Sequence, residues 1–468
     1  MSELHSSTSL HSYTPRAARG FTLIEMMIAI ALGILLSLGL VALFSATNKT
    51  NRVQDAMARL QENGRYAMQR LNYDLRMIMH QSSQNTSGYS GNIPTSTTDP
   101  SGAASPTFAA DVYAANLPLP DMAAPLGPPA GWPAATPWPL SQRYLIQGYE
   151  CSSGACSPNV PATLPATGTG NTQRVTNADV LTIRYLNADG WSLDKGELLE
   201  ATSSGTACQG GSLVSITITP AVGSPAFNFV SGDYALLVAG ARAMIFQVNV
   251  AGQVLTPTAV VGTIPCYAQV TSTSGASTSA TIYNYSQDFI TTTFFLRYVT
   301  DPNDGTRVIP TLVRRQGTIR TPNAATANQD IVQGVEQMDF LYAVDRHTGA
   351  GTATTTSYLT AANTDMQAQS SAGNCPDAPY QYLKAGLTEP ECLWRAVKNV
   401  EVHLLLDSVN NIRDLLPADM AYHYSPDGSM KTPVLPPAGT ATFPSGLKAG
   451  WMLRREFVEL VALRNYNP

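Results

Sequence analysis

The chain has 468 residues, a formal net charge of −5 at pH 7 and only 13% charged residues. Its pI of about 5.7 and the lack of a dense basic patch in the sequence argue against a nucleic-acid partner. The length suffices for one large or two ordinary domains. The abundance of Ser, Thr, Gly, Ala and Pro is typical of a protein outside the cytoplasm.

Residues 1–20 form a polar leader that carries Arg16 and Arg19 just before an apolar segment. Positive charges beside an apolar span favour retention of that side in the cytoplasm. We therefore expect the leader in the cytoplasm and the chain after Ala46 on the opposite side of the membrane.

The apolar segment has a carboxylate at its start. Residues 26–46 carry no charge, and at about 1.5 Å per residue they form a helix of roughly 32 Å, enough to cross a bilayer core of about 30 Å. A secretory signal peptide has a shorter apolar region. Because Glu25 at this depth costs about 1–3 kcal/mol, we expect a compensating partner. The α-amino group created by a cut between Gly20 and Phe21 is the nearest candidate.

The run from Gly20 through Phe21 to Glu25, with the apolar segment behind it, resembles the class III signal of type IV pilins and of the related pseudopilins of type II secretion. The resemblance implies that a prepilin peptidase cleaves between Gly20 and Phe21 and N-methylates Phe21. It also implies that Glu25 guides assembly. The alternative is an ordinary membrane anchor in which Glu25 is incidental.

Beyond Ala46 the helical pattern continues and becomes amphipathic. Apolar residues recur at steps of three or four, or a double step, at Val53, Met57, Leu60, Ala67, Leu71, Leu75 and Ile78. We predict one N-terminal pilin helix over 21–80. Its first part, 21–46, lies in the membrane and later in a filament core, and the remainder packs on a globular head. A coiled-coil stalk is the alternative.

Two pairs of charged residues on this helix, Asp55 with Arg59 and Arg70 with Asp74, are spaced four residues apart. Such pairs lie on one face of a helix and each contribute a few tenths of a kcal/mol when exposed. We expect both pairs at the surface.

The helical periodicity ends near residue 81, and we predict a Ser/Thr/Pro-rich loop insertion over 81–178. Residues 118–139 alone contain eight prolines, which cannot donate hydrogen bonds to a sheet. Trp132 and Trp138 either pin this loop to the head or form a recognition surface.

Short segments of alternating apolar and polar residues predict strands over 179–468, which we assign to a β-rich globular head. The segments are 180–185, 214–218, 234–250, 293–299, 338–344, 400–406 and 451–463. Residues 301–305 and 425–428 are rich in Asp, Asn, Pro and Gly and are predicted to form turns. We predict an α+β fold with a long N-terminal helix, transmembrane in its first half, packed on a large, mostly antiparallel β head, as in pilins.

Four stretches of this head carry a second resemblance, namely 297–299, 312–315, 334–344 and 454–465. They are similar to the PilW group of minor pilins, whose counterpart in type II secretion is the J-type pseudopilin. Residues 81–178 and 348–374 look like insertions relative to the PilW group.

The six cysteines all follow the apolar segment, at Cys151, Cys156, Cys208, Cys266, Cys375 and Cys392. An even number of cysteines in an oxidising compartment favours disulfides, and sequential pairing is the simplest of the many connectivities. A zinc site needs a C-x-x-C pair or nearby histidines, and the sequence offers neither. We predict no metal site.

The sequence contains no catalytic motif of the common hydrolase, metalloprotease or nucleotide-binding types. We therefore predict no enzymatic activity and no cofactor. His403 shares a strand face with Glu401 and is expected to be exposed rather than catalytic. Residues 301–304 are expected to form a plain turn rather than a calcium loop.

These features predict a minor type IV pilin that takes part in the initiation and assembly of the pilus, at its tip, and supports adhesion or twitching motility. Expected partners are other minor pilins, the major pilin, the prepilin peptidase, the inner-membrane assembly platform and, before assembly, lipid. We expect a single-pass inner-membrane protein with a cytoplasmic N-terminus and a periplasmic head, found afterwards in the pilus at the cell surface. The alternatives are a pseudopilin of type II secretion and a surface adhesin that uses the pilin helix as a mount.

Overall fold

The structure, a computed structural model, describes residues 22–78, 110–122, 124–128, 134–140, 142–152, 154–192, 198–203, 206–207, 211–239, 242–266, 280–322, 328–347, 354–370, 393–394, 397–412, 415, 417–424, 426 and 452–463. The chain divides into two compact units, residues 1–55 and 56–468. The predicted leader, Phe21, Trp132 and three of the cysteines lie outside the described residues.

The described residues form three α-helices, two short 3₁₀ helices (Gln142–Leu145 and Pro417–Met420) and twenty strands. The helices are α1 (Leu23–Leu75), α2 (Tyr285–Asp288) and α3 (Ala361–Ser370). The strands are β1 (Asp111–Val112), β2 (Trp138–Pro139), β3 (Ile146–Ser152), β4 (Ala155–Ser157), β5 (Val180–Leu186), β6 (Trp191–Ser192), β7 (Leu198–Ser203), β8 (Thr206–Ala207), β9 (Ser215–Thr219), β10 (Tyr234–Ala239), β11 (Arg242–Ala251), β12 (Val254–Thr258), β13 (Ala280–Asn284), β14 (Phe289–Asp301), β15 (Asp304–Thr318), β16 (Asn328–Gln333), β17 (Val335–His347), β18 (Thr354–Leu359), β19 (Val397–Asp407) and β20 (Arg454–Ala462).

The part of α1 in the first unit is apolar and exposed. Leu, Ile, Met and Ala dominate it and are compatible with a helix. Its large apolar side chains from Leu23 to Phe44 are 54–79% exposed. By length and composition this helix could cross a membrane.

The part of α1 in the second unit buries one face. The buried residues recur at steps of one, three or four, at Leu60, Gly64, Ala67, Met68, Leu71, Asp74 and Leu75. Ile78, just past the last turn of the helix, is fully buried as well. The predicted amphipathic half is confirmed, although α1 ends at Leu75.

Three sheets form the head. The central sheet has the strand order β16-β15-β14-β5-β3-β4, and the C-terminal sheet has the order β18-β17-β19-β20. The third sheet has ten strands in the order β6-β13-β10-β11-β12-β9-β7-β8, with β1 and β2 added beside β11. Among the named pairs only β1 with β11 is parallel, so the predicted α+β fold with a mostly antiparallel β head is confirmed.

Eight strands of the ten-stranded sheet, β6 to β13, form an insertion between β5 and β14 of the central sheet, whereas β1 and β2 come from the chain before β3. Leu186 and Phe289 are register partners across these strands, and the backbone N–H of Asn187 donates to the carbonyl of Asp288 at 2.9 Å. The chain therefore leaves and re-enters the central sheet at neighbouring points. In between it forms a separate hydrophobic core that includes Trp191, Ile216, Phe246 and Ile282.

The structure differs from the sequence prediction in two places. The segment 234–250 forms two strands, β10 and β11, in which Ala239 pairs with Arg242, so that only two residues connect them. The predicted loop 81–178 contains β1 to β4, and β3 pairs with β5 over four residues. The pattern of β3 is interrupted by Gln, Gly and Glu, and its pairing with a distant strand outweighs that weak local preference. The predicted insertion 348–374 contains β18 and α3.

Candidate functional site

The N-terminus of α1 is closed by a reciprocal pair of hydrogen bonds between Thr22 and Glu25. The backbone N–H of Thr22 donates to Oε2 of Glu25 at 3.1 Å, and the backbone N–H of Glu25 donates to Oγ1 of Thr22 at 3.3 Å. The Thr22 hydroxyl also donates to Oε2 of Glu25 at 3.1 Å. This arrangement is a capping box, in which the residue before the helix and the third residue of the helix satisfy each other's backbone donors.

The capping box gives the Glu25 carboxylate partners within its own helix. The carboxylate also lies at the positive end of the helix dipole, which stabilises negative charge there. The sequence analysis expected a partner that offsets the cost of placing the Glu25 carboxylate in the membrane. Thr22 of the same chain is such a partner. The pairing of Glu25 with an α-amino group at Phe21 stays a prediction, because Phe21 lies outside the described residues.

The far end of α1 is held to the central sheet by Asp74. Its carboxylate is fully buried and accepts two hydrogen bonds from Arg314 of β15, at 2.5 Å from Nε and 3.1 Å from Nη2. The hydroxyl of Tyr185 on β5 lies 3.4 Å from the same carboxylate. Arg70 and Asp74 are paired as predicted, with Nε of Arg70 3.9 Å from Oδ2 of Asp74, but the expectation of a surface pair is wrong because Asp74 is fully buried. The position of Asp74, three residues after Leu71 in the buried stripe, was the signal for this role.

The same helix contacts the C-terminal sheet through Gly64. A Cβ atom at this position would lie 2.3 Å from the ring of Phe457 on β20. Asn72, two turns further along, hydrogen-bonds to Glu459 of the same strand. Glycine is therefore required here because the aromatic ring occupies the space of a side chain.

Comparison with known protein families gives two matches. Residues 297–465 match the model of the type IV pilus-assembly protein W, PilW. Residues 15–41 match the prokaryotic N-terminal methylation motif. The chain is type IV minor-pilin-like. Neither the curated proteins nor the solved structures provide a match.

The two matches cover different functional parts of this minor-pilin-like protein. The methylation motif contains Gly20, Phe21 and Glu25. The PilW match runs from β14 to β20 and contains both Arg314 and Phe457, which hold α1. The ten-stranded sheet lies outside both matches. Cleavage after Gly20 and methylation of Phe21 remain predictions for this protein.

His403 of the minor-pilin-like protein is buried, so the prediction of an exposed histidine is wrong. It is 3% exposed and lies between two carboxylates, with Nε2 at 2.9 Å from Glu401 and Nδ1 at 2.9 Å from Glu456. Burial lowers the pKa of His403, but the hydrogen bonds to Glu456 and Glu401 outweigh it and leave the pKa above its usual value. Glu456 lies on the adjacent strand β20. The alternation pattern of β19 alone could not show which side chains of β20 lie beside His403.

The cysteines of the described residues are paired. Cys151 and Cys156 form a disulfide across the β3–β4 hairpin, as sequential pairing predicted, and Cys266 is also disulfide-bonded. The guanidinium of Arg174 donates to both sulfur atoms of the first disulfide, at 3.5 and 3.4 Å. Cys208, Cys375 and Cys392 lie outside the described residues.

Two further sequence predictions can be compared with the structure. Trp138 is buried and its indole N–H donates to the carbonyl of Ala114 at 2.8 Å, so this tryptophan pins its segment to the head. The turn at 301–304 is confirmed, because the backbone N–H of Asn303 donates to Oδ1 of Asp301 at 2.8 Å between β14 and β15. The absence of enzymatic activity and of a cofactor stays a prediction.

Proposed function

We propose that this minor-pilin-like protein is a minor type IV pilin that takes part in the initiation and assembly of the pilus. The observation that carries the proposal is the exposed apolar surface of α1 over residues 23–44, most of which lies within the match to the methylation motif at residues 15–41. A face of this size requires lipid or other helices around it. Lipid of the inner membrane surrounds it in the precursor, and helices of other minor pilins and of the major pilin surround it in the filament.

The transfer of such a helix from lipid to a helix bundle changes its hydrophobic burial little, so packing and polar contacts must set its register. We assign the polar contact to Glu25. In the precursor its carboxylate is satisfied by Thr22, which lowers the cost of holding an acid near the membrane. After cleavage at Gly20 by the prepilin peptidase, the same carboxylate pairs with the α-amino group of Phe21 in a neighbouring subunit.

We further propose a position at the pilus tip. The head, assigned to residues 179–468 with the segment 81–178 before it, is large, and a large head crowds a helically packed shaft. A low copy number at the tip or in the initiating complex avoids this crowding. The head then lies in the periplasm before assembly and at the cell surface afterwards, where it supports adhesion or twitching motility.

Mass spectrometry of pili sheared from the cell surface tests incorporation and processing together. The expected result is an N-terminal peptide that begins with N-methylated Phe21. If the protein is absent from the sheared fraction and its deletion abolishes exoprotein secretion, the protein belongs to type II secretion instead. Retention of residues 1–20 in the pilus would contradict the proposed processing.

Substitutions at Glu25 separate its charge from its capping role. Glu25→Gln keeps the capping box, because glutamine also accepts the hydrogen bond at this position, but removes the charge. We expect Glu25→Gln and Glu25→Ala to lower the number of pili about tenfold or more, which corresponds to about 1.4 kcal/mol of lost pairing. Counting pili by electron microscopy measures the effect.

The matched control is Glu62→Gln, which removes an exposed carboxylate from the same helix. We expect normal piliation in this control. Normal piliation in Glu25→Gln with loss in Glu25→Ala would show that the capping box matters and the charge does not. Normal piliation in both Glu25 variants would remove Glu25 from the assembly mechanism.

A further inference from the structure

The strand β20 lies at one end of the C-terminal sheet, and one of its edges is open. The sheet has the order β18-β17-β19-β20, so β20 pairs with β19 on one side only. Its nine residues pair with β19 without a register shift. The other end strands of the described sheets are two to six residues long. A long edge without a bulge is a surface to which a further strand adds readily.

The hydrogen-bond pattern shows which backbone groups face this open edge. The N–H of Leu463 donates to the carbonyl of Lys398 at 2.9 Å, just past the end of the β19–β20 ladder. Antiparallel strands exchange hydrogen bonds at every second residue, so the odd-numbered residues of β20 bond to β19. The N–H and C=O groups of Val458, Leu460 and Ala462 therefore point to the open edge, where the described part of the chain gives them no partner.

A groove runs between this edge and the second part of α1. The strand lines it with residues 457–459. The helix lines it with residues that recur at steps of one and three, among them Arg65, Gln69, Tyr73 and Arg76. Along the helix, Arg65 and Arg76 are about 16 Å apart. This distance equals about five residues of an extended strand, so the groove has the length of a short added strand.

The helix side of the groove is positively charged. Arg65 and Arg76 lie at its two ends and are exposed. Arg65 forms an ion pair with Glu62 at 2.7 Å, but such an exposed pair contributes little and exchanges readily. Arg76 has no ion pair among the described residues. Glu459, the acid that lines the groove, is hydrogen-bonded to Asn72. The groove therefore favours a segment with carboxylates near both of its ends.

The opposite face of the same edge is apolar. Phe457 contacts α1 at Gly64, so Val458 and Leu460 lie on the face of the sheet that points away from α1. These two side chains are 52% and 51% exposed. A strand added here places its own apolar side chains beside them, and such cross-strand pairs stabilise a sheet.

A second copy of β20 does not fit this edge. Neighbouring strands lie about 4.7–4.9 Å apart, whereas packed helices need about 8–10 Å between their axes. The helix α1 lies directly on β20, since a Cβ atom at Gly64 would lie 2.3 Å from the ring of Phe457. Two β20 strands side by side would therefore bring two α1 helices into collision. The occupant has to be an extended segment that carries no helix on its face toward α1.

We propose that the open edge of β20 binds an extended acidic segment of another pilus subunit as an added strand. The backbone of the segment bonds to Val458, Leu460 and Ala462, and its carboxylates pair with Arg65 and Arg76. Main-chain hydrogen bonds supply affinity in this mode of recognition, and alternate side chains supply selectivity. The identification of the partner as a pilus subunit rests on the proposed function, whereas the strand addition does not.

The first test uses the full-length chain in detergent and a fluorescent, acetylated and amidated peptide, Thr-Glu-Val-Leu-Val-Glu-Thr. Its sequence is the same in both directions, so it presupposes neither a parallel nor an antiparallel fit, and both glutamates lie on one face. Fluorescence anisotropy is expected to show saturable binding of one peptide per chain. A peptide with lysine in place of both glutamates is expected to bind at least about tenfold more weakly. No binding of the glutamate peptide would overturn the proposal.

Hydrogen exchange tests the strand addition itself. Exchange is expected to slow on peptide binding at the N–H groups of Val458, Leu460 and Ala462, because these groups become bonded. The N–H groups of Phe457 and Glu459 already bond to β19 and serve as the internal reference. Binding without slower exchange at the three edge residues would overturn the proposed mode.

Charge reversal tests the role of the groove. Arg76→Glu is expected to weaken binding of the glutamate peptide about tenfold and to strengthen binding of the lysine peptide by a similar factor. The matched control is Arg52→Glu, an exposed arginine of α1 outside the groove lining, which is expected to leave both affinities unchanged. Unchanged affinities in Arg76→Glu would overturn the assignment of the groove.

Proline substitution tests the open edge without loss of a bond to β19. Val458→Pro removes an N–H that points outward, and proline is tolerated at such edge positions. We expect binding to fall at least about tenfold in Val458→Pro, whereas Val458→Thr, which keeps the N–H, loses less. Wild-type affinity in a folded Val458→Pro would overturn the proposal, and the charge reversal decides if this variant does not fold.

Crosslinking in assembled pili identifies the partner. A photoreactive phenylalanine analogue in place of Tyr73 is expected to crosslink to an acidic segment of another pilus subunit, located by mass spectrometry. Crosslinks only to a second copy of this chain, or to a protein that is not a pilus subunit, would overturn the proposed partner. Processed protein in the pili without any crosslink would overturn this inference and leave the proposed function intact.

Discussion

Single residues decide the electrostatics of the head. His403 is placed between the carboxylates of Glu401 and Glu456, on neighbouring strands of the C-terminal sheet. Protonation of the imidazole gives it two charged acceptors, and these hydrogen bonds link β20 to β19 in the sheet on which α1 rests. The histidine is therefore a structural cation whose charge depends on pH.

The raised pKa of His403 predicts a pH-dependent contribution to stability. Because the pKa is higher in the folded state, the contribution is fully present below the ordinary histidine pKa of about 6.5 and is lost as pH rises through the folded-state value. We expect Tm of the wild type to exceed that of His403→Gln most at the acid end of this window. The two Tm values converge as pH increases.

Thermal unfolding of the two proteins across this pH window measures the difference directly. Glu456→Gln, which removes one of the two carboxylates, is expected to give a smaller dependence of the same sign. A difference between wild type and His403→Gln that does not change with pH would mean that folding does not shift the pKa of His403.

At the scale of elements, the contacts that join α1 to the head include a buried ion pair and a close contact between a glycine and an aromatic ring. Asp74 pairs with Arg314 of β15, and Gly64 packs against Phe457 of β20. Removing one partner of a buried pair leaves an uncompensated charge, which costs about 3–5 kcal/mol. We expect Asp74→Ala to lower the free energy of unfolding by this amount.

Chemical denaturation of the full-length chain in detergent measures this loss. Glu62→Ala, on the exposed face of the same helix, is expected to change the free energy of unfolding by less than about 0.5 kcal/mol. The double variant Asp74→Leu/Arg314→Met removes both charges, and we expect it to recover part of the loss. An unchanged stability in Asp74→Ala would mean that the buried pair does not hold the helix.

The elements that the sequence predicted are those with a local pattern. The apolar steps of α1 and the alternation in β5, β14, β17, β19 and β20 each follow from residues within one segment. The position of Asp74 in the apolar stripe of α1 indicates burial, but its ion pair did not emerge, because the partner Arg314 lies 240 residues away in the sequence. β3 was missed for the same reason, since its stability comes from β5.

At the scale of the whole molecule, the head consists of a part that matches PilW and a part that does not. The ten-stranded sheet has its own core and lies outside the matched residues 297–465. Its strands β6 to β13 leave and re-enter the central sheet between Asn187 and Asp288, and β1 and β2 join them from residues 111–139. Insertions with adjacent ends and a separate core are commonly removable without loss of the host fold.

We therefore expect a chain in which a short Gly-Ser linker replaces residues 188–287 to keep the central and C-terminal sheets folded. Tyr113 packs in the core that is removed, so the variant also carries Tyr113→Ser. Hydrogen exchange is expected to show continued protection of β14, β15 and β19. Loss of this protection would show that the ten-stranded sheet is part of one cooperative unit with the rest of the head.

The same variant tests the alternative of a pilin-mounted adhesin. Normal piliation with lost adhesion assigns binding to the ten-stranded sheet, whereas lost piliation assigns the sheet to assembly. Deletion of residues 82–140 is less suitable for this purpose, because it also removes Trp138 and the buried Asp121.

The pairing of Asp74 with Arg314 also has a mechanical consequence. In a filament whose subunits are held by their helices, a force applied to a head reaches its own helix through the contacts between them. The buried pair connects α1 to β15, which is bonded along its length to β14 and on its other side to β16. A load on α1 therefore passes at Arg314 into a strand that neighbouring strands hold on both sides, and not into a loop.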